Sequence, residues 1–223
     1  MRNLFLTLLL AFSTQMAWGQ AFVHLYTYKS ANEVLAPRTK HTPRTILIGD
    51  SITEVWAKTC PDFFADGKRV GRGISGEVSA QMLLRFRSDV IDNEATAVVI
   101  CAGTNDIALN QGDYNEDYTF GNIVTMVELA KVHGIKPILA SVLPATGFRW
   151  RPEVKDAPEK ILALNARLKA YAKAHKLVYL DYYSAMVSDD GISLNPAYTY
   201  DGVHPSKEGC KAMEQVYLKM LKK

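Results

Sequence analysis

Residues 97–102 read Ala97-Val98-Val99-Ile100-Cys101-Ala102, a short, continuous apolar run rich in β-branched side chains. A run of this length and composition is a strand covered on both faces. Such strands belong to parallel sheets with helices above and below. Working outward, similar stretches stand at 45–48, 69–70, 137–142 and 177–180, so five strands are expected. Between them, 79–86, 122–133, 159–175 and 206–221 place apolar residues at i, i+3 and i+4, the period of helices that cover a sheet. Strands alternating with helices, joined by right-handed crossovers, give an α/β chain folded as a three-layer α/β/α sandwich on a five-stranded parallel sheet. No internal repeat or composition shift marks a second domain, so 45–223 reads as one unit.

Ahead of that unit, Leu25, Tyr28, Ala31 and Leu35 recur at helical spacing as far as Pro37. The segment 20–44 is therefore expected to be a helical extension that serves packing. Earlier still, Arg2 precedes an apolar run over 4–12 that is far shorter than the roughly 20 residues of a spanning helix. The small residues Ala17 and Gly19 that follow complete a signal peptide over 1–19, cut after Gly19. The mature chain is expected to be exported, periplasmic or secreted, with no integral membrane segment. No cysteine lies near the cut to carry a lipid.

Of the 223 residues, 48% are hydrophobic and 22% charged, and 26 basic against 23 acidic side chains leave a net charge of +3. With no Lys/Arg run longer than two, the chain lacks the electrostatic footprint of a nucleic-acid binder. Three cysteines exclude a disulfide scaffold. Cys101 lies within the buried strand as a small hydrophobe, while Cys60 and Cys210 meet only if the first and last helices of the domain are neighbours.

Four places carry chemistry. The first strand ends in Gly49-Asp50-Ser51-Ile52, where a Ser at a helix start is exposed at the sheet edge; the same pattern is also an ordinary helix cap. Directly before the last helix stands Asp201-Gly202-Val203-His204-Pro205. A serine nucleophile needs a base to take its proton and a carboxylate to orient the base, and an Asp three residues before a His supplies both. Alternatively, Asp201 shapes a turn with Gly202. The remaining histidines, His24, His41, His133 and His175, have no such neighbour in sequence. Between these places, Gly71-Arg72-Gly73-Ile74-Ser75-Gly76 and Gly103-Thr104-Asn105-Asp106 follow the second and third strands. Gly73 and Asn105 are suited to donate N–H groups to an oxyanion, or else serve as turn and cap. No His/Asp/Glu cluster at ligand spacing accompanies Asp50, so no metal is expected.

Taken together, the four blocks resemble the SGNH, or GDSL-type, esterase and lipase family. Ser51, Gly73, Asn105 and His204 match one block each, in order, with Ile52 where the family's name has Leu. The resemblance implies a flavodoxin-like strand order and a carboxylic ester hydrolase that needs no cofactor. It makes Ser51 the nucleophile, His204 the base and then acid, and Asp201 its orienting carboxylate. The oxyanion hole would be the N–H groups of Ser51 and Gly73 with the Asn105 amide, and Asp50 would support the Ser51 turn. The absence of a Gly-x-Ser-x-Gly elbow argues against an ordinary α/β-hydrolase.

The family acts on many esters, so the substrate must be read elsewhere. The connection over 143–158 leaves the active-site edge of the sheet and holds Trp150 between Arg149 and Arg151. An aromatic face stacks on sugar rings and the arginines pair with anionic groups; alternatively Trp150 anchors the loop and the arginines are solvated. With no lid-like apolar segment elsewhere, the expectation is removal of acetyl or other short acyl groups, from carbohydrate. A lysophospholipase or lipase is the alternative, and a catalytically silent glycan-binding module is a third reading that the intact triad disfavours.

Overall fold

The computed structural model describes residues 24–35 and 42–221; the leader over 1–19, Pro37 and His41 fall outside them. A short helix α1 (Lys29–Glu33) precedes the domain. The chain then runs β1 (Thr45–Gly49), α2 (Ser51–Thr59), α3 (Pro61–Phe64), β2 (Arg69–Gly73), α4 (Ser79–Leu84) and a π-helical turn, Arg87–Ile91. It continues as β3 (Ala97–Cys101), α5 (Thr104–Ile107), α6 (Glu116–Val132), β4 (Lys136–Ala140), α7 (Ala157–Ala174) and β5 (Val178–Leu180). The last elements are α8 (Tyr182–Met186), a 3₁₀ turn Pro196–Tyr198 and α9 (Lys207–Met220).

All five strands pair in parallel in the order β2-β1-β3-β4-β5, the flavodoxin-like arrangement. Successive side chains of a strand point to opposite faces, and two cores follow from that alternation. Ile46, Ile48, Val98, Ile100 and Leu139 pack on one face with α4, α6 and α7. Leu47, Val99, Cys101, Ile138 and Ala140 pack on the other with α2, α8 and α9. Cys60, between α2 and α3, and Cys210, in α9, share this second cluster, and all three thiols are free.

Strand order sets the place of the site. The chain leaves β1 towards β2 on one side and returns to β3 on the other, opening a crevice beyond their carboxyl ends. Ser51 follows β1 and Asn105 follows β3, so both stand at that crevice.

Several boundaries differ from expectation. Helix α6 begins at Glu116, well before 122, because Asn115 caps it by accepting from the Tyr118 N–H. Strand β2 runs on to Gly73, since pairing with β1 extends a segment whose own composition is weak in β-formers. The leading helix is only five residues long and buries none of them, with Leu25 and Tyr26 exposed. Leu35 packs against the core, and the rest of the segment's attachment to the domain is polar, as described below.

Candidate active site

Asp50 ends the turn after β1 and caps α2, its carboxylate accepting from the Ile52 N–H at 2.9 Å. Burial pushes that carboxyl up to about 6. Ser51 is thereby placed at the first helical position, where a backbone N–H has no intrahelical acceptor and lies at the positive end of the helix. Asp50 takes the capping role, and Ser51, half-buried, lines the cleft.

Across the crevice, His204 Nε2 lies 2.9 Å from Ser51 Oγ and His204 Nδ1 lies 2.7 Å from Asp201 Oδ2. The other oxygen of Asp201 accepts the backbone N–H groups of Val203 and His204 at 2.9 and 2.7 Å. Burial alone would raise the Asp201 carboxyl, but hydrogen bonds from the His204 amide and ring and the Val203 amide outweigh it and hold it below the ordinary range. One Asp201 oxygen holds the turn and the other meets the imidazole, so the geometry accommodates both readings. A charged acceptor so fixed keeps Nδ1 as the protonated ring nitrogen and leaves Nε2 free to take the serine proton.

The opposite wall is built from the end of β2 and the turn after β3, and of the two donors expected there Asn105 lines the cleft while Gly73 does not. A Cβ on Gly73 would fall 2.3 Å from Glu54 N and 2.6 Å from Asp50 O, so only glycine lets the end of β2 lie against the start of α2. Asn105, 2% exposed, donates one amide hydrogen to the Glu77 carbonyl at 3.0 Å. The loop between them is tied to α2, where Glu54 accepts from the N–H and hydroxyl of Ser75 at 2.8 and 2.5 Å. Asp106 turns away from the crevice and accepts from Ser79 and Thr119.

Beneath this wall lies a charged cluster that sequence reasoning missed. Arg85, fully buried, donates to Glu77 at 2.6 Å, to Asp89 at 2.8 Å and to the Gly49 carbonyl at 3.0 Å. The N-terminal segment closes over it. His24 stands 3.2 Å from Glu77, a partner 53 residues away, so this histidine does find a carboxylate. Asn32 donates to Asp89 at 2.8 Å and accepts from Arg72 at 2.8 Å. The Tyr28 hydroxyl donates to the Gly73 carbonyl. The available signal was Arg85 next to Phe86, with Asp89 one helical turn on.

The cleft over Ser51 has a volume of about 360 Å³ and is lined by Ser51, Ser75, Gly76, Asn105, Asn110, Trp150 and His204. Trp150, 41% exposed, lies with its ring centroid 6.0 Å from that of His204. Tyr200, 62% exposed, stacks on His204 at 5.9 Å but does not line the cleft. The loop over 143–158 therefore does reach the site. Arg149 is exposed and Arg151 faces Glu153 at 3.8 Å; neither lines the cleft. Tyr200 was legible only as an aromatic adjoining Asp201. Among the described residues no group of three His, Cys, Asp or Glu side chains is placed to hold a metal ion, and no helix is long and apolar enough to cross a membrane.

Residues 47–212 match the GDSL-like Lipase/Acylhydrolase family. Among solved structures, a GDSL-like lipase from Bacteroides thetaiotaomicron is 53% identical, with a TM-score of 0.88 over 90% of this chain and 98% of its own. An acetylxylan esterase from Geobacillus stearothermophilus is 19% identical, with a TM-score of 0.63 over 79% of this chain and 93% of its own, a likeness of fold alone. An uncharacterized lipoprotein of Bacillus subtilis is 37% identical over 75 residues, 32% of this chain. That match spans 31% of the relative's length.

Proposed function

Because the chain belongs to the GDSL-like lipase/acylhydrolase family, we propose that it is an exported serine carboxylic-ester hydrolase that removes acetyl or other short acyl groups from carbohydrate. The observation that carries the chemistry is the unbroken line Ser51 Oγ, His204 Nε2, His204 Nδ1, Asp201 Oδ2, with contacts of 2.9 and 2.7 Å. In this reading Ser51 Oγ attacks the ester carbonyl carbon as His204 Nε2 takes its proton. The negative oxygen of the tetrahedral intermediate is met by the N–H groups of Ser51 and Gly73 and the free amide hydrogen of Asn105. Collapse expels the alcohol, which leaves with the proton from Nε2. Water, deprotonated by the same nitrogen, then releases the carboxylic acid and restores Ser51. Asp201 stays ionised throughout and stabilises the imidazolium.

Support for a short acyl group comes from the lining, where Ser75, Gly76, Asn105 and Asn110 beside Ser51 carry no long apolar side chain. Support for a sugar alcohol comes from Trp150, an exposed ring in the cleft beside His204, with Tyr200 as a second exposed ring against the same histidine; such rings offer stacking faces to a pyranose. Arg149 and Arg151, outside the cleft, would meet only an extended, acidic substrate. Export rests on the leader over 1–19. The neighbour from Bacteroides thetaiotaomicron, called a lipase, favours the second reading, a lysophospholipase or lipase. A panel of an acetylated oligosaccharide, p-nitrophenyl acetate, a long-chain p-nitrophenyl ester and a lysophospholipid separates the two. Preference for the acetyl esters, with Trp150→Ala raising KM for the oligosaccharide far more than for p-nitrophenyl acetate, is expected. Faster cleavage of the long-chain esters overturns the short-acyl reading.

A further inference from the structure

Asn105 carries both an N–H₂ and a C=O at nearly the same place, and only the N–H₂ end serves an oxyanion. Its neighbours decide which end faces the cleft. The Glu77 carbonyl can only accept and holds Asn105 Nδ2 at 3.0 Å. Asn105 Oδ1 accepts from Asn110 Nδ2 at 2.8 Å. Asn110 is an amide too, and its own direction is set in turn. Its Nδ2 also donates to the Gly76 carbonyl at 3.3 Å, while its Oδ1 accepts from Trp150 Nε1 at 2.9 Å. An indole N–H can only donate, so every bond from Trp150 to Asn105 has one allowed direction.

The backbone is shaped to bring Asn110 there. Leu109 adopts φ 57°, the left-handed region that a branched side chain rarely enters. This turn ends α5 by returning the Asn110 N–H to the Asn105 carbonyl at 3.0 Å. Asn110 thus grips Asn105 through both backbone and side chain. Strain of this kind persists where the surrounding structure over-determines it, and it concentrates at functional sites.

We propose that Asn110 is a positioning residue for the hydrolytic reaction, fixing the Asn105 amide with its N–H₂ towards the oxyanion, with Trp150 setting the direction of the relay. The inference rests on the ester-hydrolase reading but not on the identity of the substrate. Its action is on the transition state, because the donor matters once negative charge has developed.

The test is a double-mutant cycle on p-nitrophenyl acetate, with kcat normalised to serine titrated by a phosphonate so that misfolded protein is not counted. Asn110→Ala should lower kcat about tenfold with KM unchanged, less than the roughly 10²–10³-fold loss of an oxyanion donor itself. In an Asn105→Ala background the same change should do nothing further, since the group it positions is gone. Trp150→Phe, which keeps the ring and loses the N–H, should show a smaller fall with the same dependence on Asn105. An unchanged kcat in Asn110→Ala, or a loss that multiplies in full with Asn105→Ala, overturns the proposal. A wild-type protein that cleaves no ester overturns the hydrolase reading as well, so the two failures are told apart.

Discussion

Asp201 and His204 lie in one loop and meet through bonds that span three residues, whereas Asn105, across the cleft, hangs from a carbonyl 28 residues away. The base side is local and half-exposed: the Asp201 and His204 side chains are each 17% accessible. The donor side stands on Glu77, Arg85 and Asp89, ion-paired and almost wholly out of water. On the first wall the chemical groups carry little of the fold, so changes there remove chemistry and spare stability. On the second, chemistry and stability rest on the same atoms.

The largest effects test the first half of that contrast. Ser51→Ala and His204→Ala should nearly abolish ester hydrolysis while leaving the thermal midpoint close to wild type. A large fall in midpoint would mean that the base side is structural after all. Asp201→Asn should lower kcat on the order of 10⁴-fold, as in the serine-protease triad, by holding the wrong imidazole tautomer.

On the donor side, Arg85→Ala leaves Glu77 and Asp89 buried without their cation, and breaking a buried pair in this way costs about 3–5 kcal/mol. Urea unfolding should show that loss, together with a drop in kcat in the protein that remains folded. A stability close to wild type would show that the cluster is dispensable. Asn105→Ala should lower kcat by about 10²–10³ with little change in KM; a change in KM alone would make Asn105 a substrate ligand.

The contrast also governs what could be read before the fold was known. Strand β3 announces itself because a sheet core requires apolar residues in unbroken runs, and Asp201 with His204 because their pairing is local. Asn110, Arg85 and the hydrogen bond made by Tyr28 were invisible for the opposite reason. Apart from Asp89 and Asn105, four and five residues from Arg85 and Asn110, their partners lie 8 to 45 residues away, and an Asn, Arg or Tyr in isolation has the composition of any surface. The N-terminal segment shows the same limit. Its periodicity predicted apolar packing, which only Leu35 supplies, while Tyr28 and Asn32 attach it by hydrogen bonds to the Gly73 carbonyl and Asp89. Tyr200 lay next to a legible motif and was missed because adjacency in sequence does not tell which face of His204 a ring will cover.

A smaller effect concerns Asp50, which caps α2 beneath Ser51. Burial raises its carboxyl from 3.8 to about 6 in the folded protein. A raised carboxyl favours folding at low pH, and that contribution is lost as pH rises through about 6. Asp50→Asn keeps an acceptor for the Ile52 N–H without the charge. Its thermal midpoint relative to wild type should therefore climb between about pH 4 and pH 7. A difference that stays flat across this window would remove Asp50 as a buried titrating group.

The account depends most on Ser51 being an activated nucleophile, and covalent trapping reads that directly. Intact-mass analysis after exposure to an active-serine phosphonate should show one adduct on the wild-type protein, mapped to Ser51. The adduct should be absent from Ser51→Ala and form slowly on His204→Ala. A wild-type chain that stays unmodified, or an adduct that persists in Ser51→Ala, would contradict the assignment.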